Sequence, residues 1–475
     1  MKKGLIIIAA ALFVAAMVLP AMAVDMSISG YYRVRGVYQS NADQGSITPW
    51  DNPTPGDIPT AGGLTHGYGS PDAYWDHLLQ LNPVFKVADN LKLVTQVSVF
   101  NNQMWGSSET SGGVASTGAL NMANYGDTAD NILMNRAYIE WATPKGTLKV
   151  GRMAGNMTFF TPWANTILDA DRIMYYSPSW GGFNFFAGYE KRNEQSATSG
   201  NNIADEDEDR YFLCLNYAQP CYFLGYALDY YRDRSESGAT TDPNGIWAAD
   251  YYKHVFCLKA NDHTNTYFFE GELQIQDGDY RDYYGAAADV DRKGWGYYAN
   301  LGMKKGVLTV GVATAYTSGD DNSSDADMDV GPASGLDFQP LYILYGPQSN
   351  VLNTTLSNPV TKAGYNSTTA FAVPGATATG SQAYWLYADY QCSPELALHG
   401  ALGQAYADKV VATVNADDEF GTELDLGLKY QIMSNLAYEL HLGYLWTGDF
   451  FKGTTSNNYT TDDVYQIDHS LTLSF

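Results

Sequence analysis

Tyr465-Gln-Ile467-Asp-His469-Ser-Leu471-Thr-Leu473-Ser-Phe475 ends the chain, and apolar and polar residues alternate along it without a break. A period of two puts Tyr465, Ile467, His469, Leu471 and Leu473 on one face of an extended strand and the polar residues on the other. The stretch stops on an aromatic residue, leaving a strand with one greasy face as the last element of the chain.

Working upstream, similar segments run roughly over 26–39, 73–87, 91–105, 131–142, 147–155, 170–177, 183–192, 209–218 and 221–233. They continue over 249–260, 265–276, 293–303, 307–318, 382–392, 395–408, 421–431, 435–449 and 463–475. The expected count is about eighteen, with sixteen or twenty one hairpin away, and an even number suits a closed antiparallel sheet with both ends on one side. Connections alternate short (Ala88-Asp-Asn90, Gln219-Pro220, Lys304-Lys-Gly306) and long (41–70, 106–130, 155–169, 319–381). That rhythm is expected of an all-β transmembrane antiparallel β-barrel with short periplasmic turns and long extracellular loops. The terminal Phe475 resembles the assembly signal of bacterial outer-membrane barrels, which implies recognition by the barrel-assembly machinery.

The other terminus agrees. Met1-Lys2-Lys3, an apolar run from Leu5 to Leu19, and Ala21-Met22-Ala23 read as a cleaved secretory signal over 1–23, followed by one barrel domain over 24–475. No later stretch is long and apolar enough for a membrane helix. Tyrosine (37), glycine (46) and an aromatic content of 14% fit a barrel with interfacial girdles and many turns. A secreted all-β protein shares the alternation but lacks a reason for the terminal Phe. The expected home is the outer membrane of a Gram-negative bacterium, in contact with its lipid.

The 27 basic residues, two of them in the leader, face 52 acidic ones, for a formal charge of −25. Nucleic acid is excluded as a partner, since it is bound through cationic surface. Acidic runs such as Asp205–Asp209 and Asp320–Asp329 read either as solvated loops or as a funnel enriching cations at a pore mouth. On the second reading the channel prefers cations.

Charged residues within strands are read as lumen lining, because Arg or Lys facing lipid at mid-depth costs about 2–4 kcal/mol. On parity, Trp75, His77, Leu79, Leu81, Phe85 and Val87 face lipid while Asp76, Gln80, Asn82 and Lys86 face inward. Likewise Leu133, Ala137, Ile139 and Trp141 face out, with Arg136 and Glu140 inside. The expected lining is Arg33, Arg35, Arg136, Glu140, Arg152, Asp229, Lys253, Glu270 and Glu272, which either orient solutes or simply pair with one another. Arg152 sits in a Gly-Arg strand end similar to that of general porins, just before a loop that folds inward. Parity places it outside, so either a bulge at Gly151 turns it inward or it lies beyond the apolar band. In the next loop Phe159, Phe160 and Trp163 are too apolar for open water and are expected to form the constriction.

The connection 319–381 carries Ser318-Gly-Asp-Asp-Asn322, the acidic run Asp325-Ala-Asp-Met-Asp329, Phe338-Gln-Pro-Leu-Tyr342 and Tyr345-Gly346. Here the chain resembles the alginate-export-like family of outer-membrane porins, in which a Ser-Gly-Asp motif leads into an acidic stretch and a Phe-x-Pro-Leu patch. The resemblance implies a barrel of about eighteen strands over the whole mature chain. An exporter of a polyanion needs a strongly basic lumen, and this chain departs from that. Asp325, Asp327 and Asp329 could hold calcium, although the glycine falls one place late for an EF-hand and Leu336 stands where Glu belongs. A solvated acidic loop is the alternative, and no other cofactor is expected.

Four cysteines lack C-x-x-C spacing. Cys214, Cys221 and Cys257 fall near the periplasmic ends of successive strands, so a Cys221–Cys257 disulfide or three small filler residues are both open. No nucleophile, histidine and acid are arranged for catalysis, so an enzyme is not expected. The reading is a porin: a passive, water-filled channel for small hydrophilic solutes and ions, as a homo-trimer in analogy with other porins. The rivals are a substrate-specific channel or exporter with 319–381 as a lid, and a sheath around an electron-carrier partner.

Overall fold

The computed structural model describes residues 24–40, 72–105, 132–155, 160–163, 169–194, 207–234, 247–283, 290–320, 327–332, 338–345, 379–410, 417–452 and 463–475. The leader 1–23, Phe159 and Asp325 lie outside the described residues.

Alternation along the chain yields long strands that pair with their sequence neighbours. The first are β1 (Asp25–Ser40), β2 (Asp72–Ala88), β3 (Leu91–Met104), β4 (Ile132–Thr143), β5 (Gly146–Ala154) and β6 (Asp169–Tyr176). Then follow β7 (Phe183–Asn193), β8 (Glu208–Gln219), β9 (Tyr222–Asp233), β10 (Trp247–Asn261), β11 (Tyr267–Tyr283) and β12 (Val290–Arg292). The rest are β13 (Trp295–Lys305), β14 (Leu308–Thr317), β15 (Asp327–Met328), β16 (Ser381–Gln391), β17 (Leu396–Tyr406), β18 (Glu419–Met433), β19 (Leu436–Thr447) and β20 (Val464–Ser474).

All but β12 and β15 form the wall, an antiparallel barrel of eighteen strands. It closes where β1 meets β20, with Tyr31 opposite Ser474 and Ser40 opposite Tyr465. Closure removes both sheet edges, which is what a hydrocarbon solvent requires of a sheet. The short β12 hydrogen-bonds to β11 and, in parallel, to β15. Both are too short to carry a periodic signal, and the extension of β11 to Tyr283 crosses Gly278, a strand-breaking residue by composition.

The outward row is largely apolar: Leu301 is 56% exposed, Leu386 59% and Leu426 52%. Such a surface would associate in water and is at ease only in lipid. Trp141, Trp180, Tyr267 and Phe475 are exposed at the short-turn end, where an interfacial aromatic girdle belongs.

The ladder shifts register at several points, and the shift between β3 and β4 changes the reading of a row. The β3–β4 ladder steps from Gln96↔Arg136 to Val97↔Met134, so Asn135 is an extra residue. Beyond this bulge Ile132 and Met134 point outward, and Leu133 lies opposite Ser98 on the inner row, not on the lipid face.

The buried apolar clusters lie inside the barrel. Small residues line the inner rows of β14 and β17 at Ala313, Ala315, Ala401, Gly403 and Ala405, with Ala383 of β16 between them beside Trp385. They leave room that two chain segments fill.

Candidate functional site: a lumen narrowed from within

The first filling segment is Phe160–Trp163, from the connection between β5 and β6. Phe160, Thr161 and Trp163 are all nearly or fully buried. Thr161 donates its backbone N–H (3.1 Å) and its hydroxyl (2.7 Å) to one Glu272 oxygen, while Gln274 Nε2 donates to the other at 3.0 Å. Lys259 Nζ donates to the Phe160 carbonyl at 2.8 Å. The rings sit over glycines: a Cβ at Gly225 would stand 3.0 Å from Phe160 Cζ, and one at Gly296 would stand 2.9 Å from Trp163 Cη2.

The second segment, Phe338–Tyr345, comes from the connection between β15 and β16. Leu341, Ile343 and Leu344 have no solvent exposure. A strand-less segment in a barrel must find partners for its backbone donors. Glu423 of β18 supplies two, accepting Ile343 N–H at 2.5 Å and Leu344 N–H at 2.8 Å. Asp425, two residues on and so on the same face, accepts Tyr342 N–H at 3.2 Å. Trp163 joins the cluster that Leu341 and Tyr345 form with Trp385, so the two segments fill one side of the lumen together.

The opposite wall is charged. Arg35 pairs with Asp76 through Nε at 2.9 Å and lies 3.8 Å from Asp468, and Arg33 donates to Asn102. Arg136 bonds Asp169 at 2.7 Å, and Glu140 lies between Lys92 (2.8 Å) and Lys149 (3.3 Å). A ladder then crosses five strands: Arg172 to Glu190 (2.7 Å), Arg210 to Glu190 (3.2 Å) and to Asp229 (2.7 Å), and Lys253 to Asp229 (3.7 Å). Glu270 lies opposite Lys259 in the β10–β11 register, on the inner row with Glu272. Between the second segment and the β1–β20 wall is a cavity of about 370 Å³ bounded by Arg33, Arg35, Tyr342, His441, Asp425 and Asp468. It shares His399, Glu439 and His441 with a cavity of about 560 Å³ nearer the short turns.

Several sequence expectations change. Arg152 is not in the lumen: β4 and β5 stay in register through Gly151, no residue is inserted, and Arg152 stands on the outward row, 3.6 Å from Asp171. Cys221 and Cys257 are free thiols. Cys257 lies opposite Gly225, four residues along β9 from Cys221, or roughly 13 Å at strand rise, too far for a disulfide. Asp327 takes Lys293 Nζ at 2.6 Å, and the Asp329 carbonyl accepts the Ser318 hydroxyl at 2.6 Å. Among the described residues no three His, Cys, Asp or Glu side chains are grouped to hold a metal.

Arg172, Glu190, Arg210 and the Glu423–Asp425 pair were not singled out from sequence. Strand parity would have placed the first three on the inner face. The anchoring role of the last two carries no local signal, because their partners are backbone groups about eighty residues away.

No family model matches the chain, and no curated protein matches it in sequence. Solved structures do. OccK11 (OpdR) of Pseudomonas aeruginosa is 11% identical with a TM-score of 0.50, covering 94% of this chain and 96% of that one. OccAB2 of Acinetobacter baumannii is 15% identical with a TM-score of 0.50, over 94% and 98%. A BenF-like porin from Pseudomonas fluorescens Pf-5 is 11% identical with a TM-score of 0.51, over 95% and 98%. At these identities the likeness is one of fold: an outer-membrane porin barrel.

Proposed function

We propose that the protein is a passive outer-membrane channel for small hydrophilic solutes, selective by size at a constriction made of two anchored segments. The observation that carries this reading is the double anchoring: Glu272 holds Thr161, and Glu423 holds Ile343 and Leu344. Segments tied to the wall narrow the lumen permanently, leaving the cavity beside Arg33 and Tyr342 as the route. The anchoring also argues against residues 338–345 swinging as a free lid.

The cation preference expected from net charge gains no support from the wall. Around β4–β7 neither sign is consistently the more exposed partner: Lys149 is 27% exposed against Glu140 18%, but Arg172 is 2% against Glu190 6%. Paired charges of this kind orient a solute and give weak ion selectivity. A homo-trimer and recognition of Phe475 by the assembly machinery belong to the same proposal.

Planar-bilayer recording tests it. Small single-channel steps, a reversal potential near zero across a salt gradient, and liposome uptake that falls sharply with solute size are expected. A large conductance without a size cut-off would overturn the constriction. Strong cation selectivity would return control to the acidic outer segments.

A further inference from the structure

Two turns meet at the short-turn end of the barrel. Asn261 N–H, at the end of β10, donates to the carbonyl of Cys221 in the β8–β9 turn at 2.8 Å. The following turn, 262–266, is locked by Asp262, whose carbonyl accepts Asn265 N–H at 3.0 Å. The Asp262 carboxylate accepts the Thr264 hydroxyl, Thr266 N–H (2.6 Å) and Tyr267 N–H (2.9 Å). Those bonds, the Thr264 hydroxyl first, hold the carboxyl below the usual range, so it stays charged and occupied. This scaffold sets Cys221 Sγ 3.3 Å from His263 Nδ1.

We propose that Cys221 is a thiol-modification site at the periplasmic rim, taking small disulfides into a mixed disulfide with His263 as its base. As Cys221 sulfur attacks one sulfur of R–S–S–R, His263 Nδ1 takes the thiol proton, the Cys221–S–SR bond forms, and the S–S bond breaks. The departing thiolate RS⁻ carries the electron pair away and is protonated by the imidazolium or by water. The external disulfide is the oxidant, a class of compound that persists in an oxidising compartment.

The chain carries its own controls. Cys214 and Cys257 are buried, whereas Cys392 is exposed on the β16–β17 turn with no imidazole hydrogen-bonded to it among the described residues. Accessibility alone therefore favours Cys392, and the His263 contact favours Cys221.

The experiment incubates the folded, detergent-solubilised protein with oxidised glutathione and follows each cysteine by peptide mass spectrometry. Cys221 should be modified faster than Cys392 by roughly a hundredfold, the low end of what a positioned base supplies. His263→Ala should bring Cys221 down to or below the Cys392 rate, with unchanged heat-modifiable mobility showing an intact barrel. Equal rates in the unsubstituted protein, or a Cys221 rate indifferent to His263→Ala, would overturn the proposal.

Discussion

Leu341 occupies the space that a side chain at Gly403 would need: a Cβ there would stand 2.7 Å from both Leu341 methyl carbons. The wall of β17 is thus shaped to the segment it holds. Leu341 is fully buried among Trp385, Phe338 and Ile343, so it cannot swing away without moving its neighbours. Gly403→Val should therefore displace the second segment while leaving the strand, a good site for a β-branched residue, intact. The expected result is a normally folded barrel with higher single-channel conductance and passage of larger solutes. Unchanged conductance would mean that the segment does not bound the route.

Glu423 offers a second way to move the same segment. Replacing it by leucine leaves the Ile343 and Leu344 N–H groups without their acceptor, at about 1–3 kcal/mol for each buried donor. Barrel strands keep their own ladder, so the loss falls on the segment. We expect noisy, larger openings in Glu423→Leu and an intermediate effect in Glu423→Gln, which keeps one acceptor. Bilayer recordings of the two variants side by side decide it, and quiet openings of native size in both would refute the anchoring role.

Arg210 is the central member of the ladder, within reach of Glu190 and Asp229 and stacked over Phe212 and Tyr231. Arg210→Met keeps much of the volume but leaves Glu190 to Arg172 and Asp229 to the more distant Lys253. Removing one partner of a buried ion pair costs about 3–5 kcal/mol. The measurement is the temperature at which the heat-modifiable band shifts on a gel, which should fall. No change would show that lumen water screens the site.

The wall was legible in the sequence because its rule is local: every second residue faces lipid, and lipid tolerates few polar groups. Strand ends came within a few residues of the observed ones, except on β11, whose extension past Gly278 pairs with β10 and β12. The rule failed at Asn135, where one inserted residue flips the row and leaves Leu133 inside. It also held where an exception had been looked for, at Gly151, so Arg152 stays outside. The lumen was less legible. Phe160 and Trp163 signalled burial by composition, but what receives them is a set of glycines on distant strands. The row Ala313, Ala315, Ala383, Ala401, Gly403 and Ala405 was a readable sign of room inside, visible only once inward parity is traced across three strands together.

Phe475 closes the barrel as well as the chain. Its N–H donates to the Gly30 carbonyl at 3.0 Å, and its carbonyl accepts Gly30 N–H at 2.9 Å, extending the β1–β20 ladder by one pair. A Cβ at Gly30 would lie 3.1 Å from the Phe475 ring, so the ring lies across the seam at the short-turn end, and it remains 54% exposed toward the interface. Deleting Phe475 removes those two hydrogen bonds, worth about 0.5–1.5 kcal/mol each. Partial burial of one ring adds less than the roughly 1.5–3 kcal/mol of a fully buried side chain. An equilibrium loss of that size would barely alter the yield of an eighteen-strand barrel. If the terminal aromatic is also the assembly signal, the loss will be far greater in cells than in vitro. The expected outcome is a severe fall in folded outer-membrane protein at native expression levels, with near-normal refolding of the same variant into detergent. Equal, mild effects in both settings would reduce Phe475 to an interfacial anchor on the closing strand.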